Sequence, residues 1–315
     1  MQISLSMCKQ AARPTLRIPG NAIAQILQGQ KEKVVVVMGA TGAGKSRLSV
    51  DLATRFPAEV INSDKMQVYK GLDIATNKIT EEERCGVPHH LMGVIDPESD
   101  FSAADFRASA SSAVRSIHLR KKLPVIAGGS NSFIQALIDR DFRSRYDCCF
   151  LWVDVSMQTL HSFVSDRVDR MVERGMVKEV RDLFDPQADY SSGIRRAIGV
   201  PELDEFFRTE SSSDEETRVR VLAEAIDRIK MNTSKLACRQ VEKIMRLRNA
   251  KGWDLHRLDA TDVFRKSGKD VEAAWENMVA GRSAAIVSRF LYDRLRVAYG
   301  GSAVSVEAPL MAAAG

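Results

Sequence analysis

The sequence predicts an α/β fold, a doubly wound parallel sheet with a small helical insertion. Three observations point there. A β-branched run, Lys33-Val-Val-Val-Val-Met38, leads into a glycine-rich loop and then a helical pattern. Short apolar strands recur after it, spaced widely enough for crossover helices. Residues 157–215 then turn charged and helical before a strand pattern returns near Leu255.

Each element has its own signature. The run from Lys33 to Met38 lacks polar alternation, which suits a strand buried on both faces. Leu48, Leu52 and Phe56 follow at helical spacing. Glu59-Val-Ile-Asn62 is a second short strand and ends at Ser63-Asp64. A helix opens near Ser102, with Asp105 placed to complete a capping box and Phe101 and Phe106 placed to staple the same end. It leads through Lys121-Lys122 to a third strand, Pro124-Val-Ile-Ala127, which stops at Gly128-Gly129. A fourth, Cys149-Phe-Leu-Trp-Val153, ends at Asp154. Past the insertion, a long helix from Thr217 to Arg248 sets Val219, Leu222, Ile226, Ile229, Leu236, Val241, Ile244 and Leu247 near one face. Leu255 to Leu258 reads as a last strand and Phe290 to Tyr299 as a terminal helix. The expected divisions are a leader over 1–31, a core over 32–156, the insertion over 157–215, a return to the core over 216–300 and a disordered tail over 301–315.

Composition narrows the function. No apolar run approaches the ~20 residues of a membrane helix, so no spanning segment is expected. The cysteines form no CxxC pair and no zinc spacing. Cys148 and Cys149 lie in an apolar run and read as buried thiols of a reducing compartment. The net charge of +5 has a local source: residues 1–31 hold Lys9, Arg13, Arg17 and Lys31 and no acid. Without those four the body carries 42 basic against 41 acidic residues, which argues against a broad nucleic-acid footprint. The leader also carries Ser4, Ser6 and Thr15, as organellar transit peptides do. Plastid import is the expectation, and a cytoplasmic protein with a disordered N-terminus is the alternative.

Gly39-Ala-Thr-Gly-Ala-Gly-Lys-Ser46 matches GxxxxGK[ST], with the strand before it and the helix after it that the motif requires. The fold is therefore expected to be P-loop NTPase-like. The glycines let backbone N–H groups cradle phosphate oxygens, and the helix dipole and Lys45 add positive charge. The candidate binding residues are Gly39, Ala40, Thr41, Gly42, Ala43, Gly44, Lys45 and Ser46, with the Ser46 hydroxyl a ligand for Mg²⁺. A hydrolysing NTPase adds a carboxylate after an apolar strand. Gly128-Gly129 stands at that place on the third strand. Asp154 ends the fourth, where a carboxylate serves either the magnesium shell or the cap of the next helix.

Asp64 ends the second strand on the same sheet edge as the loop, where doubly wound folds place ligands. Its position fits a turn residue and a base facing a substrate equally well. The surrounding residues carry a resemblance. Asn62-Ser-Asp-Lys-Met-Gln-Val-Tyr-Lys-Gly-Leu-Asp-Ile-Ala-Thr-Asn-Lys78 resembles the dimethylallyl (isopentenyl) transferases that modify adenine N6. Pro88-His-His-Leu91, Phe101-Ser-Ala-Ala-Asp-Phe106, Gly128-Gly-Ser-Asn-Ser-Phe133, Arg167 to Met176, Arg196-Ala-Ile-Gly199 and Arg239-Gln240 are similar to further blocks of that family, in the same order. The resemblance covers about residues 33–250.

That family has a tRNA branch and a branch of adenylate enzymes that make cytokinins. The tRNA branch typically reads Asp-Ser-Met-Gln-Val-Tyr, where this chain has Lys65 in place of the serine. It has Gly-Gly-Thr-Gly-Leu-Tyr at Gly128-Gly-Ser-Asn-Ser-Phe133, and Gly-Tyr-Arg-Gln at Gly199-Val-Pro-Glu202. No Cys or His follows His256 to form the zinc finger that eukaryotic tRNA enzymes often add. These departures point to the plant adenylate branch.

The resemblance implies transfer of a dimethylallyl group from dimethylallyl diphosphate to an adenine nucleotide, ADP or ATP before AMP, with Mg²⁺. It implies Asp64 as the general base on N6, and Thr41 and Lys45 as stabilisers of the leaving diphosphate. Arg196 and Arg239 match family arginines that could clamp substrate phosphates. Lys65 and Lys78 are further candidates for acceptor phosphates, and His89-His90 reads as a packing or hydrogen-bonding pair. Two other readings remain at this stage: a tRNA dimethylallyltransferase, and a P-loop small-molecule kinase or NTPase. The sequence is silent on oligomeric state.

Overall fold

The computed structural model describes residues 31–298, with side chains as far as Tyr292. Residues 1–30 of the leader and the 301–315 tail lie outside them. In chain order the first half holds β1 (Glu32–Gly39), α1 (Lys45–Arg55), β2 (Ala58–Asn62), α2 (Glu81–Arg84), β3 (His89–His90), α3 (Ala103–Leu119), β4 (Leu123–Ala127), α4 (Asn131–Leu137), α5 (Arg140–Arg145) and β5 (Tyr146–Asp154). Four α-helices follow, α6 (Met157–Glu173), α7 (Met176–Arg181), α8 (Val200–Thr209) and α9 (Glu215–Lys251), with a 3-10 turn at Gly193–Arg196 between α7 and α8. The chain returns as β6 (Leu255–Asp259), α10 (Thr261–Phe264), α11 (Asp270–Trp275), a π-helical turn at Glu276–Ala280 and α12 (Gly281–Ala298).

The six strands form one parallel sheet in the order β3-β2-β4-β1-β5-β6. β1 is central, and Val34 to Met38 are fully buried, as the run of β-branched residues predicts. Its side chains alternate between two cores. Val35 and Val37 meet Leu48 and Leu52 of α1 and Trp275 of α11. Val34, Val36 and Met38 meet Phe106 and Ile117 of α3 and Phe133 of α4. α3 starts at the expected box: Ser102 Oγ accepts from the Asp105 amide at 3.2 Å, and Asp105 accepts from the Ser102 amide at 2.9 Å. Phe101 and Phe106 both rest on Phe133, with ring centroids 5.9 and 4.6 Å away.

A third core joins Val68, Tyr69 and Leu72 of the loop after β2 to Val168, Met171, Leu203 and Phe206 of the helical insertion. α9 serves this core with Val221, Ala225 and Ile229, and the sheet with Ile244 and Leu247. At 1.5 Å per residue it is about 55 Å long, enough to brace both. Its buried face departs from the sequence expectation. Val219 and Leu236 are exposed, while Ala225, Thr233, Ala237 and Gln240 point inward. Small and polar residues face in because α9 passes close over the phosphate loop, where Gln240 serves as a hydrogen-bonding group.

Candidate active site

The carboxyl ends of β1, β2 and β4 open on one cleft of about 1210 Å³, closed on its far side by α6 and α9. It sits where the chain, after β1, turns first to one side of the sheet and later to the other, the position at which doubly wound folds bind ligands.

The phosphate loop forms one wall. Gly42 (φ 82°) and Gly44 (φ 96°) are left-handed, and a β-carbon would fall 2.8 Å from Val164 at the first and 2.7 Å from Trp275 at the second. Thr41, Gly42, Gly44, Lys45 and Ser46 line the cleft. Ala40 and Ala43 are buried, and Gly39 lies outside the lining of the cleft. Two loop amides also have protein partners. Thr41 N–H donates to Gln240 Oε1 at 2.7 Å and Ala43 N–H to the Ala40 carbonyl at 3.2 Å. The amides of Gly42, Gly44, Lys45 and Ser46 are left to face an anion.

Behind the loop Lys45 Nζ donates to the Ala40 carbonyl at 2.8 Å. Burial brings its ammonium down to about 8, against the pull of Asp64 and with a further push from Arg167. Arg167 of α6 donates to Thr41 Oγ1 at 3.0 Å, its Nε has no protein partner, and burial brings it to about 10. Two half-buried cations meet one carboxylate here, so the site as built calls for an anion.

Asp64 faces them from the end of β2. Asn62 Oδ1 accepts from its amide at 3.1 Å, and Asp64 Oδ1 accepts from the Met66 amide at 2.9 Å. The glycine pair after β4 explains itself here. A β-carbon on Gly128 would sit 2.4 Å from the Ser63 carbonyl carbon, and one on Gly129 2.4 Å from Gln240 Nε2. Bare backbone at both positions lets β4 close on β2 and lets Gln240, which donates to the Gly129 carbonyl at 3.0 Å, reach Thr41.

Arg196 and Arg239 line the same cleft, both exposed. Arg196 donates to the Gly193 carbonyl at 3.3 Å and to Tyr69 Oη at 3.4 Å. Lys65 lines it too, its ammonium lowered by burial and by Lys243 and Arg196. Two expectations need correction, those for Lys78 and Asp154. Lys78 is buried and bound to Asp73 at 2.7 Å and the Gly71 carbonyl at 2.5 Å, so it staples its own loop. The histidine pair is the hydrogen-bonding pair expected: His89 Nδ1 lies 2.8 Å from the Val87 carbonyl and His90 Nε2 2.7 Å from Glu59, and His89 also lines the cleft. Asp154 lies outside the lining of the cleft and pairs with Arg257 of β6 at 2.7 Å, and the N-cap of α6 is Ser156. In the sequence Arg167 and Gln240 stand only as members of the family-like blocks; no local pattern announces that they reach Thr41 across more than a hundred residues.

Among the described residues no cluster of three or more His, Cys, Asp or Glu could cage a metal. Ser46, exposed at the N-terminus of α1, offers a single hydroxyl. That donor set fits Mg²⁺, which takes one or two protein oxygens and completes its shell with phosphate oxygens and water. Burial raises the Cys148 and Cys149 thiols to about 12, which makes them inert packing groups.

A glycine loop backed by two half-buried cations, with a carboxylate across the same cleft, defines a P-loop protein that works on phosphate-bearing substrates. Residues 67–144 and 139–246 match the family described as IPP transferase. The chain is 57% identical over 306 residues to adenylate isopentenyltransferase 3, chloroplastic, of Arabidopsis thaliana, covering 93% of this chain and 91% of the relative. It is 54% identical over 265 residues to adenylate isopentenyltransferase 7, mitochondrial, of the same plant, covering 82% and 80%. The solved structure of a eukaryotic dimethylallyltransferase acting on tRNA superposes with a TM-score of 0.72 at 28% identity, covering 84% of this chain and 80% of that one. The chain belongs to the IPP transferase family.

Proposed function

We propose that this protein transfers the dimethylallyl group of dimethylallyl diphosphate to N6 of an adenine nucleotide, ADP or ATP before AMP. The observation that carries the reading is the sharing of one cleft by Asp64 and the cationic phosphate loop. The adenine amino group is a weak nucleophile, because its lone pair is delocalised into the ring. Asp64 accepts one N6 proton, which leaves the electron pair of that N–H bond on nitrogen to attack the allylic C1. The N6–C1 bond forms as the C1–O bond breaks, and the electron pair of that bond leaves with pyrophosphate.

Lys45, Arg167 and the free loop amides face the charge that develops on the leaving diphosphate, and Thr41 is held in place for the same task. Ser46 would hold Mg²⁺, whose positive charge neutralises the diphosphate. Arg196, Arg239 and Lys65 line the rest of the cleft and suit the phosphates of the acceptor. The near neutrality of the body and the higher identity to adenylate enzymes than to the tRNA-acting structure favour a free nucleotide over tRNA.

The test is one set of parallel reactions of purified protein, Mg²⁺ and dimethylallyl diphosphate with AMP, ADP, ATP or tRNA, with products identified by mass. Prenylated nucleotide is the expected product. Prenylation of tRNA alone would move the protein to the other branch, and release of ADP or phosphate without prenyl donor would make it a kinase or NTPase. The acid-free leader and the chloroplastic relative point to plastid import, the mitochondrial relative to a second destination. A fluorescent reporter fused to residues 1–31 decides between them, and a cytosolic reporter overturns the targeting reading.

A further inference from the structure

After β6 the chain comes back over α1, and several contacts tie the two together. Trp275, 2% exposed, donates its indole N–H to Asp51 Oδ2 at 2.7 Å. Arg47 pairs with Glu272 at 2.6 Å and lays its guanidinium 4.6 Å from the centre of the Trp275 ring. Arg55 pairs with Glu276 at 2.5 Å. The edge of the indole is seated on Gly44, so closely that a β-carbon there would fall 2.7 Å from Cη2. Gly44 is the left-handed residue from which α1 starts, and Trp275 and Arg47 both line the cleft. A π-helical turn follows Trp275 directly, a distortion found most often beside functional sites.

We propose that Trp275 is a positioning residue for the phosphate loop: anchored by Asp51, its indole holds Gly44 in the left-handed conformation that aims the first amides of α1 at the donor diphosphate. A glycine has no side chain to restrict its own backbone, so an external wedge supplies the restraint. Donors held in place before the reaction stabilise developing charge without reorganising, which is where such a restraint affects rate. The inference rests on the reading that this loop holds the prenyl donor.

The test uses the full-length protein with Mg²⁺ and inorganic pyrophosphate as the probe, binding followed by calorimetry, and initial rates beside it. Trp275→Phe keeps most of the ring and removes the indole N–H. Pyrophosphate affinity and kcat should each fall about tenfold, while nucleotide affinity changes less than about twofold. Asp51→Asn retains an oxygen that accepts the indole N–H and should bind pyrophosphate as the wild type does. Asp51→Leu removes the anchor without touching the ring and should reproduce the Trp275→Phe loss. Wild-type pyrophosphate affinity and turnover in Trp275→Phe and Asp51→Leu would overturn the proposal alone. Equal losses of pyrophosphate and nucleotide affinity would reduce Trp275 to a structural residue and overturn it as well. A wild-type protein that binds nucleotide and no pyrophosphate would overturn the donor assignment of the loop, and this proposal with it.

Discussion

Raising the pH should discharge Lys45 before Arg167, since burial leaves the first at about 8 and the second at about 10. A diphosphate needs that ammonium charged. kcat/KM for the prenyl donor reports the free enzyme, so it should fall as pH rises through about 8 and be roughly tenfold lower one pH unit above it. kcat reports the complex and should stay level to higher pH, because a bound diphosphate favours the charged ammonium. Lys45→Ala should remove this limb altogether. Its kcat/KM for the donor should start on the order of a hundredfold low, the worth of a charged contact of about 3 kcal/mol. Affinity for the adenine nucleotide should change little, and pyrophosphate should compete with the prenyl donor and not with ATP. Steady-state rates across the alkaline range, with each substrate varied in turn, read all of this. Two results refute the reasoning: a donor profile level well beyond pH 9, or a Lys45→Ala enzyme that loses nucleotide affinity and keeps donor affinity.

Asp64→Ala should lower turnover by about a hundredfold or more while the protein still binds pyrophosphate. Near-normal turnover in single-turnover assays would remove Asp64 from the chemistry. Gly128→Ala drives a β-carbon into the Ser63 backbone at 2.4 Å, and backbone cannot swing aside as a side chain can. It should cost about 2 kcal/mol in a denaturant titration, and an unchanged midpoint would mean that β4 and β2 do not need the close approach. Glu59 is a stability prediction away from the cleft. Burial favours its protonated form, yet Arg120, His90 and Lys122 outweigh that and hold its carboxyl at about 2. The folded value lies below the unfolded one near 4.5, so the cluster contributes fully above about pH 5 and is lost as pH falls toward 2. Wild type should exceed Glu59→Gln by about 3 kcal/mol at neutral pH, with the gap closing across that acid range.

What the sequence by itself determined was local. The β-branched run of β1, the glycine loop and the Ser102–Asp105 box each depend on residues a few positions apart, so pattern alone identifies them and puts Lys45 and Asp64 on one sheet edge. The resemblance added the chemistry of that edge. β3 escaped notice because two histidines are too short to show a period. The buried face of α9 was misjudged because hydrophobicity marks which residues could be buried, while the neighbour decides which are: Gln240 faces inward only because Thr41 is there to receive it. Asp154 was open to two uses, and Arg257, arriving on β6 103 residues later, gives it another. The tertiary structure alone set Arg167 on Thr41 and seated Trp275 on Gly44. These contacts join segments 126 and more residues apart, and nothing in the local spacing of either partner encodes the other. The fold brings them together because β1 is central and its carboxyl end is where the insertion, the long helix and the returning chain must all close.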